Sequence, residues 1–212
     1  MNFSSDRDLL AYEPTLFHDL PWAGQQRLRV TDAGINGTTL TSQAADFAAA
    51  GIGVGNVLVV DDRALEVLAR NSATSLKVSL LRTHLTDDAI PPGDGSDLTA
   101  SARTFEPQAT LVHDQLVRML GLEPDNPHPA VTEQAIVSVS VMARLEALGT
   151  LQRLFNSAVA LAGDNEALKH KATRYQAECR HALTRATVLF DRDNDGRVDE
   201  RRGFSTARLV RV

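Results

Sequence analysis

Between Gly34 and Arg82 the chain alternates turn signals with short extended runs, in the order G-I-N-G-T-T-L-T-S, D-F-A-A-A-G-I-G-V-G-N-V-L-V-V and N-S-A-T-S-L-K-V-S-L-L-R. This punctuation restricts the segment to a small β-module. Gly34 and Gly37 bracket Asn36, a setting for a tight turn with positive φ, after which Thr38, Thr39 and Leu40 extend. Asn71 and Ser72 mark a second turn. Beyond it, Leu76, Val78 and Leu80 alternate with Ser75, Lys77 and Ser79, which places one apolar and one polar face on a strand of period two. Strands are expected near 26–31, 37–41, 56–60, 64–70 and 74–82. Asp61 and Asp62 read as a hairpin turn, and D-F-A-A-A-G as a helical turn ending at Gly51. The G-I-G-V-G cluster has neither the strand-then-helix setting nor the GK[ST] end of a phosphate loop, and that reading is rejected.

The remainder divides by composition. Residues 1–21 read as an N-terminal arm, partly helical or extended, interrupted at Pro14, and 22–86 as the β-module. Pro91, Pro92, Gly93 and Gly95 mark 87–105 as a linker. Residues 106–190 carry helical stripes: Leu111, Val112, Gln115, Leu116, Met119 and Leu120, closed by Gly121; then Ile136 to Val159, with Thr132 as cap. The V-S-V-S-V run leaves a strand open at the start of the second stripe, and the continuous A-R-L-E-A-L-G-T-L-Q-R-L-F pattern decides for helix. After Gly163, with Asp164 or Asn165 as cap, a third stripe runs through Leu168, Ala172, Tyr175, Cys179, Leu183, Ala186 and Phe190. The fold class expected is α+β: a β-module, barrel or sandwich-like, followed by a bundle of about three helices and a C-terminal extended arm at 203–212.

Composition excludes several classes. With 43% hydrophobic and 23% charged residues the chain is globular, and a net charge of -5 with 5% aromatics argues against wrapping or reading nucleic acid. Acidic residues favour the N-terminal half, while basic ones crowd the end from Lys169 to Arg211, an asymmetry suited to head-to-tail packing of subunits or to a solvated helix face. Cys179 is the only cysteine, so neither an internal disulfide nor a thiol metal cluster is available, and a buried, inert thiol is expected. The N-terminus lacks a signal-peptide pattern and no apolar run reaches membrane length, so synthesis and folding in a cytoplasm are expected.

The sharpest local motif is D-R-D-N-D-G-R-V-D-E, Asp191 to Glu200. Carboxylates at the first, third and fifth positions of a loop turned by glycine can converge on calcium. Asp191, Asp193 and Asp195 with Gly196 fit, the backbone carbonyl of Arg197 stands next, and Asp199 follows directly or through water. The loop resembles that of EF-hand and related bacterial calcium modules, with one departure: Arg202 occupies the position of the bidentate glutamate, for which Glu200 is a substitute if the loop exit is not helical. The alternative is an acidic Asx-type turn that ends the long helix and holds no ion. No catalytic constellation stands out. The histidines are dispersed, and His113 reads as an exposed or half-buried packing residue.

The β-module grammar resembles that of structural proteins of tailed bacteriophages, on Gly37 to Thr41, Asp46 to Val60 and Ser72 to Val78, and more weakly on the helices from Phe105, Pro107 and Gln108. Over the whole chain it is similar to a head-to-tail connector, an adaptor or head-completion protein. The resemblance implies a non-enzymatic virion component at the head-tail junction, assembled in the host cytoplasm. It also implies a ring of identical subunits, twelve-fold in the family, between the portal protein and a tail-side neck or stopper protein, with DNA passing through the lumen and no membrane partner. The F-S-T-A-R-L-V-R-V end reads as an extended strand, and in such a connector Ala207, Arg208, Leu209, Val210, Arg211 and Val212 would dock on the portal. Folding of that strand onto the chain's own β-module is the alternative. A stopper of the same neck and a calcium-dependent bacterial binding module are the competing functions.

Overall fold

A computed structural model describes residues 2–123, 125–126, 131–162 and 165–204. The fold is α+β: a closed six-stranded antiparallel barrel followed by helices. Contacts group the chain into two units, Ser5–Pro107 and Met1–Ser4 with Gln108–Val212.

In the first unit two short helices, α1 (Asp6–Tyr12) and α2 (Leu16–Asp19), precede the strands β1 (Gln25–Asn36), β2 (Thr39–Thr41), β3 (Val57–Val60), β4 (Arg63–Arg70), β5 (Ser75–Ser79) and β6 (Gly95–Thr104). The barrel order is β1-β2-β5-β4-β3-β6, closed by pairing of β1 with β6. Leu76 and Val78 face the barrel core and Lys77 faces out, as period two requires. Gly37, φ +58, opens the two-residue turn between β1 and β2, where Asn36 pairs with Thr39. Asp61, φ +49, does the same between β3 and β4, and its backbone and carboxylate bond Thr99. The D-F-A-A-A-G segment makes one helical turn, with the Ala50 N–H donating to the Asp46 carbonyl and Gly51 at φ +66.

The linker expected at 87–105 is a correction. Its second half is β6, the strand that closes the barrel, and its inward residues are Ala100, Ala102 and Thr104. Alanine gives a weak hydrophobic period, and the Pro-Gly cluster just before it masks the strand start. β1 is also longer than expected, because register shifts after Gln26, Val30 and Ala33 bend one strand so that it pairs with both β2 and β6.

The second unit contains α3 (Glu106–Met119), α4 (Val139–Ala162) and α5 (Glu166–Arg185), then a hairpin of β7 (Thr187–Phe190) and β8 (Glu200–Gly203). α3 begins two residues before the unit boundary and ends as its sequence predicts: the Leu122 N–H donates to the Val117 carbonyl, with Gly121 at φ +73. Its core face is Ala109, Val112, His113, Leu116 and Val117, whereas Leu111 and Met119 of the expected stripe are exposed. α4 starts later than Thr132 suggests. Residues 133–135 form a single 3-10 turn, and Ile136 bridges Phe190 in extended conformation before the helix begins. α5 is capped by Asn165, whose side chain accepts from the Leu168 N–H. It ends five residues short of the expected Phe190, because Thr187 and Val188 are β-branched and pair with β8. Gly163, Asp164 and Ala207–Val212 lie outside the described residues.

Candidate functional site

The acidic loop joins β7 to β8, so it is a hairpin connection and not the end of a helix. One oxygen each from Asp191, Asp193 and Asp195 lies within 4.8 Å of the others, with Asp191 buried and the other two exposed. The loop is folded by its own acceptors. Asp191 accepts from the N–H groups of Gly196 (2.9 Å) and Asp195 (3.2 Å), and Asp195 from the Arg197 N–H (2.8 Å). Gly196 has φ +84 and Asn194 φ +59, the left-handed conformations such a tight turn needs. Asp199 is not part of the convergent set: its carboxylate accepts from the Arg192 N–H at 2.7 Å. The loop exit is a strand, as substitution by Glu200 requires, yet Glu200 is held by Arg202 through two bonds of 2.8 and 3.0 Å. Arg202 also donates to the Leu120 carbonyl (2.7 Å) and lies over the Phe190 ring, so the residue at the glutamate position of the resembled motif fastens the hairpin to the unit. Three carboxylates are hard oxygen donors that suit a divalent cation, whose remaining ligands would be water or backbone.

A second cluster escaped sequence reasoning. His113, expected to be exposed or half-buried, is buried, with Nδ1 at 3.0 Å from Glu146 and Nε2 at 3.1 Å from Glu133. Each ring nitrogen faces a carboxylate oxygen. Glu146, fully buried on α4, also accepts from the Phe3 N–H (3.1 Å), the Ser4 N–H (2.9 Å) and the Ser4 hydroxyl (2.7 Å). Phe3 packs against the imidazole with ring centroids 4.9 Å apart. The cluster therefore ties the first residues of the chain to α3 and α4. Histidine at 113 and glutamate at 146 are 33 positions apart, and no local pattern links them.

The same unit carries a groove of about 880 Å³ between α3, α4, α5 and the hairpin. Its floor is apolar, including Leu116, Leu145 and Leu183, and Cys179 lies there with its thiol pushed up by burial. Arg153, Arg180 and Arg185 are the charged residues that line it. Gly149 shapes the groove: a Cβ there would stand 2.7 Å from a Val112 methyl, so glycine is what allows α3 and α4 to approach.

Asp6 and Glu66 are buried carboxylates of the barrel unit. Burial lifts Asp6 above the usual carboxylate range despite bonds from the Phe105 N–H, Thr104 and Asn56. At Glu66 burial also opposes ionisation, but the Arg82 and Arg7 side chains and the Arg82 N–H together hold it below that range. Both serve the fold. Among the described residues no helix is long and apolar enough to cross a membrane. No protein-family model, no curated protein and no solved structure matches this chain.

Proposed function

We propose that the chain is a structural virion protein, a head-tail adaptor that forms a ring between a portal protein and tail-side neck proteins, with DNA passing through the lumen. The observation that carries this reading is the order of parts within one closed barrel. The G-T-T-L-T hairpin, the D-F to V-L-V-V step and the S-x-T-x-L-x-V return strand become β2, the turn before β3, β3 and β5, the sequence of elements that the resemblance to phage structural proteins leads one to expect. Fold alone does not carry function, and the assignment rests on the motif resemblance together with this arrangement. In this reading the protein is not an enzyme, Ala207–Val212 engages the portal, and a stopper position in the same neck is the nearest variant. Gold-labelled antibody to the chain on purified particles is expected at the head-tail junction. Particles free of label, with the epitope accessible and the protein free in the lysate, would refute the adaptor.

The convergence of Asp191, Asp193 and Asp195 favours a second reading, a calcium-dependent binding module. Isothermal titration with calcium, repeated on Asp191→Asn, tests it. Saturable heat lost in the variant supports the module, and a flat titration with folding unchanged by chelator leaves the loop as an Asx-type turn.

A further inference from the structure

The groove of the helical unit is bordered by Arg153, Arg180 and Arg185, all exposed, and no carboxylate lines it. None of these arginines makes an ion pair among the described residues. Its counterpart in chemistry lies on the barrel unit. The loop 83–91, T-H-L-T-D-D-A-I-P, carries Asp87 and Asp88, no lysine or arginine, and two exposed apolar side chains, Leu85 at 66% and Ile90 at 44%.

The loop backbone is fixed. Arg82, itself held by Glu66 at 2.6 Å, donates to the carbonyls of Leu85 (3.0 Å) and Asp87 (2.8 Å), and the His84 N–H donates to the Asp87 carboxylate (2.8 Å). At the other end the Ile90 N–H donates to Ser79 Oγ (2.8 Å), and the Ile90 carbonyl accepts from the Leu80 N–H (2.9 Å). An exposed leucine on a loop already ordered by the fold meets little further entropic cost on docking. Two carboxylates between two apolar anchors match an apolar floor rimmed by arginines.

We propose that loop 83–91 of one copy docks into the α3–α4–α5 groove of a second copy, with Leu85 and Ile90 on the apolar floor and Asp87 and Asp88 toward Arg153, Arg180 and Arg185. The proposal specifies the subunit contact of the ring and rests on that reading. The two surfaces are different patches of the same chain, so the contact can run head to tail from copy to copy, and it closes into a ring when its rotation permits. The chain's own terminal segment is the poorer occupant, since residues 205–212 contain Arg208 and Arg211 and no acidic residue.

Sedimentation velocity of the full chain tests the contact, using Asp88→Arg, Arg180→Glu and the two combined. Both positions are exposed and free of ion pairs among the described residues, and circular dichroism checks that each variant is folded. Wild type is expected to self-associate in a salt-sensitive manner. Each single reversal should raise the dissociation constant about a hundredfold or more, as juxtaposed like charges do, and the combined variant should recover association. A monomeric wild type, single variants that associate like wild type, or a combined variant that stays weak would each overturn it. Loss of association only on removal of residues 205–212 would do so too, and would assign the groove to the terminal segment. Gold at the neck with a failed charge swap removes this contact and leaves the ring reading, whereas absence of label from particles removes the ring reading itself.

Discussion

Replacing Glu146 with glutamine keeps the side chain's shape and removes its charge at the centre of the helical unit. The carboxylate is fully buried and accepts from the Phe3 N–H, the Ser4 N–H, the Ser4 hydroxyl and the His113 ring. In the amide one acceptor oxygen becomes a donor. Whichever way it is rotated, either the Ser4 N–H at 2.9 Å or the Phe3 N–H at 3.1 Å then faces another donor. An orphaned buried donor costs about 1–3 kcal/mol, and each surviving bond falls from roughly 1.5–3 kcal/mol for a charged acceptor to about 0.5–1.5. We expect a loss of about 3 kcal/mol, a large part of the roughly 5–15 kcal/mol by which a domain is stable. Urea unfolding followed by far-ultraviolet circular dichroism reads α3, α4 and α5. Trp22, the only tryptophan, lies in the barrel unit, and its fluorescence reads that unit separately. A shift below about 1 kcal/mol at unchanged urea dependence would refute the reasoning. In a cycle with Ser4→Ala the coupling should be about 0.5–3 kcal/mol, and strict additivity would show that Glu146 does not hold the N-terminal residues.

Glu66→Gln should destabilise the barrel by about 3–5 kcal/mol at neutral pH, because Arg7 and Arg82 lose the charge between them. Since the folded-state value of Glu66 is depressed, its contribution is present above the unfolded-state value and lost as pH falls through the folded one. The variant's Trp22-detected stability should accordingly fall less on acidification than wild type, and parallel acid profiles would count against the clamp. Asp6 has the opposite sign: raised by burial, it favours the fold below the unfolded-state value and loses that contribution as pH rises through the folded one. Asp6→Asn keeps a neutral acceptor for the Phe105 N–H but turns an amide donor toward the Asn56 NH2, so relief of the buried charge is opposed by about 1–3 kcal/mol for the orphaned donor, and a neutral-pH loss above about 3 kcal/mol would contradict this. Gly149→Ala places a Cβ 2.7 Å from stiff, β-branched Val112, and overpacking of about 1–3 kcal/mol should exceed the helix-propensity gain of roughly 1 kcal/mol. Adding Val112→Ala should recover part of the loss, and an unchanged thermal midpoint in the single variant would show that α3 and α4 can separate there.

Much of the barrel is legible along the chain because its signals are local. Gly37 and Asp61 mark turns by the backbone they permit, and Leu76 and Val78 mark a face by their spacing. The acidic loop is likewise legible as a turn with converging carboxylates, since spacing within ten residues fixes which side chains can meet. β6 was not, because Ala100 and Ala102 are inward only by virtue of the strands on either side, and a small side chain contributes little hydrophobic period. The end of α5 is hidden for a related reason. Phe190 continues a helical stripe in sequence, but pairing of β7 with β8 and the bridge to Ile136 supply its hydrogen bonds elsewhere.

The sequence by itself determined the α+β class, the hairpin turns and a helix cap at Asp164 or Asn165, of which the structure uses Asn165. Tertiary structure decided what depends on distant pairs. β1 meets β6 to close the barrel, His113 meets Glu133 and Glu146, Arg202 fastens a hairpin instead of yielding to a ligand, and the arginines of α4 and α5 border one groove. Such pairs cost chain entropy that only the assembled core offsets, so no local pattern announces them.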